Sequence, residues 1–444
     1  MVLIASAPHL NKNATPTEAG ERITILDSLR GFAILGILLM NIASFGGPLY
    51  SDPSVMNETS YNYSSWYMMS WFFEGTQRAL FSLLFGAGII LFITKQETKA
   101  AGLQAADIFF RRQLWLLVFG LINLYVLLWH GDILFDYAII GMFLFVFRKW
   151  GAKKLIIAAV VCLLIMAVTD NKDLYQNKKR IARGESISAI DTTVNKLTLL
   201  EKEDLNAMID IRESSSMESR KKRVEKAIAR MTNDYRWVYE ARTSAYRSNF
   251  FSYSYFGIWD VLQFMFLGMA FFKNGILLGK GSTRIYLFMC LIGFVAGLTL
   301  SYFRVQHHIS SGFNYYNYTK AALFDSFQLD RAFRTIGMFG AIMLLYKSGV
   351  FKWLFALVRA PGQMAFTNYL MQSLIAILLF YGIGFALYGQ LERYQLYLIV
   401  FVIWALQIGF SHLWLHYFRF GPFEWAWRSL TYWKRQPLKK QKTN

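Results

Sequence analysis

The sequence predicts an all-α fold, a polytopic transmembrane helix bundle of about ten spans with a helical extracytoplasmic insertion. Three observations predict it. The 444 residues are 55% hydrophobic and 17% aromatic, with a mean hydropathy of +0.30. A water-soluble chain of this length would instead divide into domains joined by polar linkers. Apolar runs recur at the length a bilayer core requires, about 20 residues. Basic residues fall mainly on alternate loops. With 39 phenylalanines, 7 prolines and 2 cysteines, the chain is not disordered, collagen-like or a disulfide scaffold.

The candidate spans are 26–45, 76–94, 110–129, 132–147, 152–169, 255–272, 285–303, 332–346, 364–387 and 394–417. They follow an N-terminal tail, 1–25, that lacks the apolar core of a cleavable signal, so the first span serves as the insertion signal. The first membrane half is 26–169, the polar insertion 170–253, the second half 254–418, and a basic tail closes the chain at 419–444. With the N-terminus inside, the short inside loops carry 14 Lys and Arg and the short outside loops 4. That bias predicts a multi-pass cell-membrane protein with both termini cytoplasmic. The net charge of +19 is thus largely topology.

Within the insertion, Leu197, Leu200, Leu205, Met208 and Ile209 recur at helical spacing. A serine break at 214–216 follows, then Val224, Ala227, Ile228 and Met231. Two amphipathic helices forming an outer cap are predicted; a solvated segment is the alternative. The basic run 220–223 lies among acidic residues and outside the cell, which argues against nucleic acid. Cys162 and Cys290 sit in apolar runs as packing residues.

Ionisable groups in apolar spans are costly and mark candidate sites. Asp27 and Arg30 open the first span three residues apart. They are either an intrahelical ion pair or, through Arg30, an anion contact at the cytoplasmic end. His130 and Asp132 occupy the outer turn between spans three and four. A carboxylate two residues away can orient an imidazole and raise its basicity, making a catalytic general base. The alternative makes Asp132 a helix N-cap. Asp136, one turn on, adds polarity to the same face.

Arg331 and Arg334, beside Asp325 and Asp330, are read as binding an anionic headgroup or acceptor, or as interfacial snorkelling residues. Gln363, Thr367, Asn368 and Gln372 fall near one face, where uncharged polar groups glue helices or line a cavity. Glu424 and Arg428 lie in a Trp-rich stretch at the cytoplasmic interface. His412 and His416 lack the glutamate of a zinc-protease motif, and no metal site is predicted.

Together these pieces resemble the DUF418, or YeiB-like, bacterial membrane proteins. The resemblance rests on Asp27-Ser-Leu-Arg30-Gly31 with Asn41 downstream, Phe81-Ser-Leu-Leu-Phe-Gly86-Ala-Gly88, and His130-Gly-Asp132-Ile-Leu. The stretch from Gly362 to Ser373 and Gly421-Pro-Phe-Glu424-Trp-Ala-Trp-Arg428 complete it. The opening motif is also similar to that of broader membrane acyltransferases, including the heparan-glucosaminide N-acetyltransferase group, which use an essential His.

That similarity implies a transmembrane acyltransferase taking acyl-CoA, such as acetyl-CoA, from the cytoplasm. The donor's phosphates would meet Arg30, Arg111 and Arg112. An extracytoplasmic small-molecule, lipid or glycan acceptor would offer a hydroxyl or amine, with His130 as base or transient acyl carrier. Besides the bilayer and this acceptor, no nucleic-acid partner is implied, and a homo-oligomer stays open. The alternatives are a transporter with alternating access, although no Gly/Pro interruption is paired in both halves, or a non-catalytic sensor.

Overall fold

The computed structural model describes residues 23–47, 53–99, 103–190 and 197–440. Among them the fold is all-helical, with one isolated β-bridge, Phe418 to Lys439. In chain order the helices are α1 (Thr24–Gly46), α2 (Tyr61–Met68), α3 (Thr76–Lys99), α4 (Leu103–Tyr125) and α5 (Leu134–Leu144). Then follow α6 (Ala152–Ser188), α7 (Leu199–Ser214), α8 (Met217–Met231), α9 (Tyr235–Lys273), α10 (Thr283–Ser310) and α11 (Tyr315–Ala321). The last five are α12 (Phe327–Ser348), α13 (Lys352–Gln363), α14 (Ala365–Phe380), α15 (Arg393–Tyr417) and α16 (Pro422–Tyr432).

Among the described residues, five helical stretches are long and apolar enough to cross a membrane: Thr24–Gly46, Tyr61–Thr98, Ala152–Ser188, Thr283–Ser310 and Arg393–Tyr417. The bent pair α13–α14 makes a sixth if it counts as one span. The outward faces agree with a lipid solvent. Val160, Val161, Leu164 and Val168 on α6, and Phe288, Leu291, Ile292 and Val295 on α10, are all exposed. Contiguous apolar surfaces of this kind are rare on proteins that face water. These features mark a membrane protein.

The other expected runs are helical but differ in build. α5 has 11 residues, about 16 Å of helix, which is shorter than a bilayer core. The expected span 364–387 is not one rod. α13 and α14 meet at a 76° bend just after Pro361, which has no N–H and cannot continue the hydrogen-bond ladder.

α1 is the central post, packed on α3, α13, α14 and α15, with Leu29, Ala33, Ile34 and Leu38 fully buried. Glycines set how closely its neighbours approach. A Cβ at Gly362 would lie 1.7 Å from the Asp27 carbonyl oxygen, and one at Gly268 of α9 would lie 1.8 Å from the Leu83 carbonyl oxygen of α3. In a lipid solvent such small residues permit the backbone contact that drives helix association.

The insertion is ordered by continuation of the bundle. α6 has 37 residues and α9 has 39, each about 55–60 Å long and well beyond a bilayer core. Between them lie the two helices expected from periodicity. α7 opens on a Thr198–Glu201 capping box. α8 is capped by Ser216, which accepts from the Ser219 N–H. α9 is capped by Asp234. Each cap satisfies an N–H that the helix leaves unpaired.

Gly362→Val should lower the thermal unfolding midpoint of the detergent-purified protein, because overpacking of this kind costs about 1–3 kcal/mol or more. An unchanged midpoint would contradict the α1–α13 crossing described above.

Candidate functional site

The helix crossings leave a cavity of about 250 Å3 beside α1, walled by α3, α4, α5, α14 and α16. It has two chemically different ends. Near the start of α1 its rim carries Arg30, Lys95, Arg112 and Arg428. Asp27 and Glu424 are the rim's carboxylates, and both are engaged. Asp27 pairs with Arg30 at 3.2 Å. Glu424 accepts the N–H groups of Phe366 and Thr367 at 2.8 and 3.0 Å, closing the start of α14 after the Pro361 bend. The rim is therefore net positive.

Arg112 is held between the rings of Phe92 and Trp427, 4.8 and 3.6 Å from their centres. No acidic side chain pairs with it among the described residues. Trp427 Nε1 donates to the Arg112 carbonyl at 2.8 Å, which fixes α16 against α4.

Beyond the rim the walls are apolar, including Leu84, Phe85, Ile89 and Leu116. The cavity ends at Leu134, Tyr137 and Tyr369. There Tyr369 donates its hydroxyl proton to Asp132 Oδ1 at 3.3 Å and accepts the Ile133 N–H at 3.1 Å. Asn123 Nδ2 donates to the same carboxylate oxygen at 2.7 Å. The Phe135 N–H reaches Asp132 Oδ2 at 2.8 Å, so Asp132 does cap the first turn of α5.

The expected His130–Asp132 pair does not form. His130 Nδ1 lies 2.9 Å from Arg242 Nη1. A guanidinium only donates, so Nδ1 must accept and Nε2 carries the ring proton. The imidazole is exposed and absent from the cavity lining. The loop that leads into both residues is tightly wound, with buried Leu128 at a φ of 50°.

Asp27, Arg30, Arg112, Gln363, Glu424 and Arg428 line the cavity. Arg111 does not; it pairs with Asp107 at 2.7 Å and lies over Trp433. Asn368 and Gln372 are glue. Asn368 Nδ2 donates to the Pro361 carbonyl and to Ser411, and Gln372 Nε2 to the Ile34 carbonyl and Gln407. Asn41 is half-buried on α1 away from the lining. Asp136 lies beside Gly257 of α9.

Arg331 and Arg334 are neither headgroup contacts nor snorkelling residues: both are buried. Asp260 of α9 pairs with Arg331 and with Arg78 of α3. Asp330 pairs with Arg334 and with Arg304 of α10, the latter at 2.8 Å. Glu74 adds a second contact to Arg304 at 3.0 Å. Ser82 and Tyr137 hydroxyls, 2.6 Å apart, sit between this network and the cavity, since Tyr137 also reaches the Arg78 carbonyl at 3.4 Å. Sequence reasoning missed Arg78 and Asp260, although both lie inside apolar runs. It also missed Tyr369, which looks like any span tyrosine.

Residues 271–434 match the family described as a protein of unknown function, DUF418. The chain is 30% identical to the uncharacterised protein YxaH of Bacillus subtilis, over 96% of this chain and 98% of the relative. The chain belongs to the DUF418 family. It is also 27% identical to the uncharacterised protein YeiB of Escherichia coli, over 93% and 96% of the two chains. No solved structure matches. The DUF418 match covers α10–α16, and so includes Tyr369, Glu424 and Arg428 of the cavity.

Asp260→Asn should destabilise the fold by about 3–5 kcal/mol, because it leaves a buried arginine without its charge partner. Asp260→Leu combined with Arg331→Met should recover much of the loss. Thermal unfolding in detergent measures both, and a double variant no more stable than the single one would count against the pairing.

Proposed function

We propose that this DUF418 protein is a transmembrane acyltransferase whose donor, an acyl-CoA, enters the cavity from the cytoplasm. One observation carries the reading: a single cavity joins a net-positive rim to an apolar interior that ends on a Tyr369–Asp132 pair. A CoA thioester has the matching polarity, with anionic phosphates at one end and an acyl chain at the other. Arg30, Arg112 and Arg428 would hold the phosphates, Arg112 as a planar cation already stacked between rings. The start of α1 and the α16 end would then face the cytoplasm, in a ten-span topology with the insertion outside, as the loop charges favour.

In the transfer, the acceptor's hydroxyl or amine oxygen or nitrogen attacks the thioester carbonyl carbon. Asp132 takes the acceptor's proton. The new ester or amide bond forms as the C–S bond breaks, and the CoA thiolate leaves with the electron pair and is protonated by solvent. Tyr369, which lines the cavity's end, donates to the Asp132 carboxylate behind it and would relay the acceptor's proton to it. His130 is better suited to contact the acceptor through Nε2–H than to act as base, since Arg242 occupies Nδ1.

Transport has one specific observation in its favour. The α13–α14 bend places Gly362 and Gln363 on the cavity wall, and broken helices form transporter sites. Among the described residues the break lies in one half only, and donor-independent flux in proteoliposomes would select that reading.

Inside-out membrane vesicles given radiolabelled acetyl-CoA should release CoA, and right-side-out vesicles should not. Arg112→Gln should raise the donor KM about tenfold, equivalent to about 1.4 kcal/mol, with a smaller change in kcat. No thioester turnover and no acyl-CoA binding would end the proposal.

The proton step predicts a pH profile. The base acts ionised, so kcat should fall on acidification and level off once the carboxyl is fully ionised. Asp132→Asn should lower kcat by about 100-fold or more and abolish that limb. His130→Ala should keep it.

A further inference from the structure

One buried polar atom in the wall of the α1 cavity has no partner inside the protein. Phe109, Arg112, Gln113 and Leu116 of α4 all line the cavity, and the spacing i, i+3, i+4, i+7 is one helical stripe. Arg112 stands at the rim and Leu116 in the apolar wall. Gln113 lies between them. Its side chain is 2% exposed, and its Oε1 accepts no hydrogen bond. A buried amide is costly unless its hydrogen bonds are completed. Other buried amides of the bundle do bond. Asn368 and Gln372 donate to backbone carbonyls, Asn123 to Asp132, and Gln96 to the Tyr432 hydroxyl at 2.9 Å.

The facing helix is cut back to receive this side chain. A Cβ at Gly141, the one glycine of α5, would lie 2.8 Å from Gln113 Oε1 and 3.4 Å from Nε2. The amide thus packs against bare backbone, where any side chain would displace it. It is held at the cavity wall by shape and not by a polar partner.

Position along the shaft decides which part of a ligand it meets. From Arg112 to Asn123, α4 rises about 16 Å, and the Asn123 amide bonds the Asp132 carboxylate behind Tyr369. A donor with phosphates on the rim and its thioester at Tyr369 must span that depth. The pantetheine arm of CoA runs about 14 Å from phosphate oxygen to sulfur when extended. Its phosphate-proximal amide follows about 5 Å from the phosphate, which is the level of Gln113 and not of Tyr369. A carboxamide both accepts and donates, so it matches a secondary amide and offers nothing to a hydrocarbon chain.

We propose that Gln113 binds the phosphate-proximal amide of the donor's pantetheine arm. It thereby selects acyl groups carried on pantetheine over those carried on a phosphate or a lipid. The inference rests on the acyl-CoA reading and deepens it: Arg112 recognises charge, which many anions share, and Gln113 recognises the arm.

The test is equilibrium binding to the full-length detergent-purified protein. The probes are CoA, acetyl-CoA and ADP, which keeps the pyrophosphate and lacks the arm. Gln113→Met keeps the length of the side chain and removes the amide. It should weaken CoA and acetyl-CoA alike, by about tenfold, and leave ADP binding at its wild-type value. Its melting midpoint without ligand should match or exceed that of wild type, because the amide it removes is unpaired. That separates a lost contact from a lost fold.

Equal CoA affinity in wild type and Gln113→Met overturns the inference and leaves the donor reading standing. Weakening of acetyl-CoA alone also overturns it, since the amide would then meet the acyl carbonyl. Equal weakening of ADP, or a lowered midpoint, overturns it as well. If the wild-type protein binds no CoA, the donor reading fails and this inference fails with it.

Discussion

A network built around two buried carboxylates holds the second half of this bundle to the first, through Asp260 to Arg78 and through Arg304 to Glu74. Asp260 meets Arg78 and Arg331, and Asp330 meets Arg304 and Arg334, so α3, α9, α10 and α12 are joined through carboxylates that are themselves buried. Removing charges from solvent costs several kcal/mol per ion and is recovered only with good geometry and further hydrogen bonds. The structure supplies them: Gln328 adds a contact to Arg331 at 2.7 Å, and the Trp71 carbonyl one to Arg334 at 3.0 Å. With the network intact, α12 can approach α10 at Gly293 and Gly337, where a side chain on either would meet the other's backbone.

The network also separates two chemically unlike spaces. On one side is the α1 cavity, with a basic rim and an apolar shaft. On the other is a polar cavity under α8, which Glu74 and Arg304 of the same network floor. His130 belongs to neither lining, but its Arg242 partner lies over the rings of Tyr381 and Tyr388, and Tyr388 is a wall of the second cavity. The loop carrying His130 and Asp132 is thus tied to a wall of each space, through Arg242 to Tyr388 and directly to Tyr369.

Several features were legible because they depend on local spacing. The Asp27–Arg30 pair follows from three-residue spacing on a helix. The helices α7 and α8 follow from periodic apolar residues with serine between them. The polar face of Gln363, Asn368 and Gln372 is where expected, but its members divide: Gln363 lines a cavity and the other two bind neighbouring backbones. Spacing tells which residues share a face, and not what stands opposite.

For the same reason the reading of His130 beside Asp132 failed. Two residues apart in a turn, they diverge, each taken by a partner more than a hundred residues away, Arg242 and Tyr369. By itself the sequence determined the solvent, an apolar one, and the helical class, since composition and run length fix both. It also determined the family, which YxaH and YeiB share along nearly their whole length. Only the tertiary structure decided which charges are spent on each other and which face a cavity. That depends on long-range helix crossings, and the glycine contacts that set them leave no mark in local spacing.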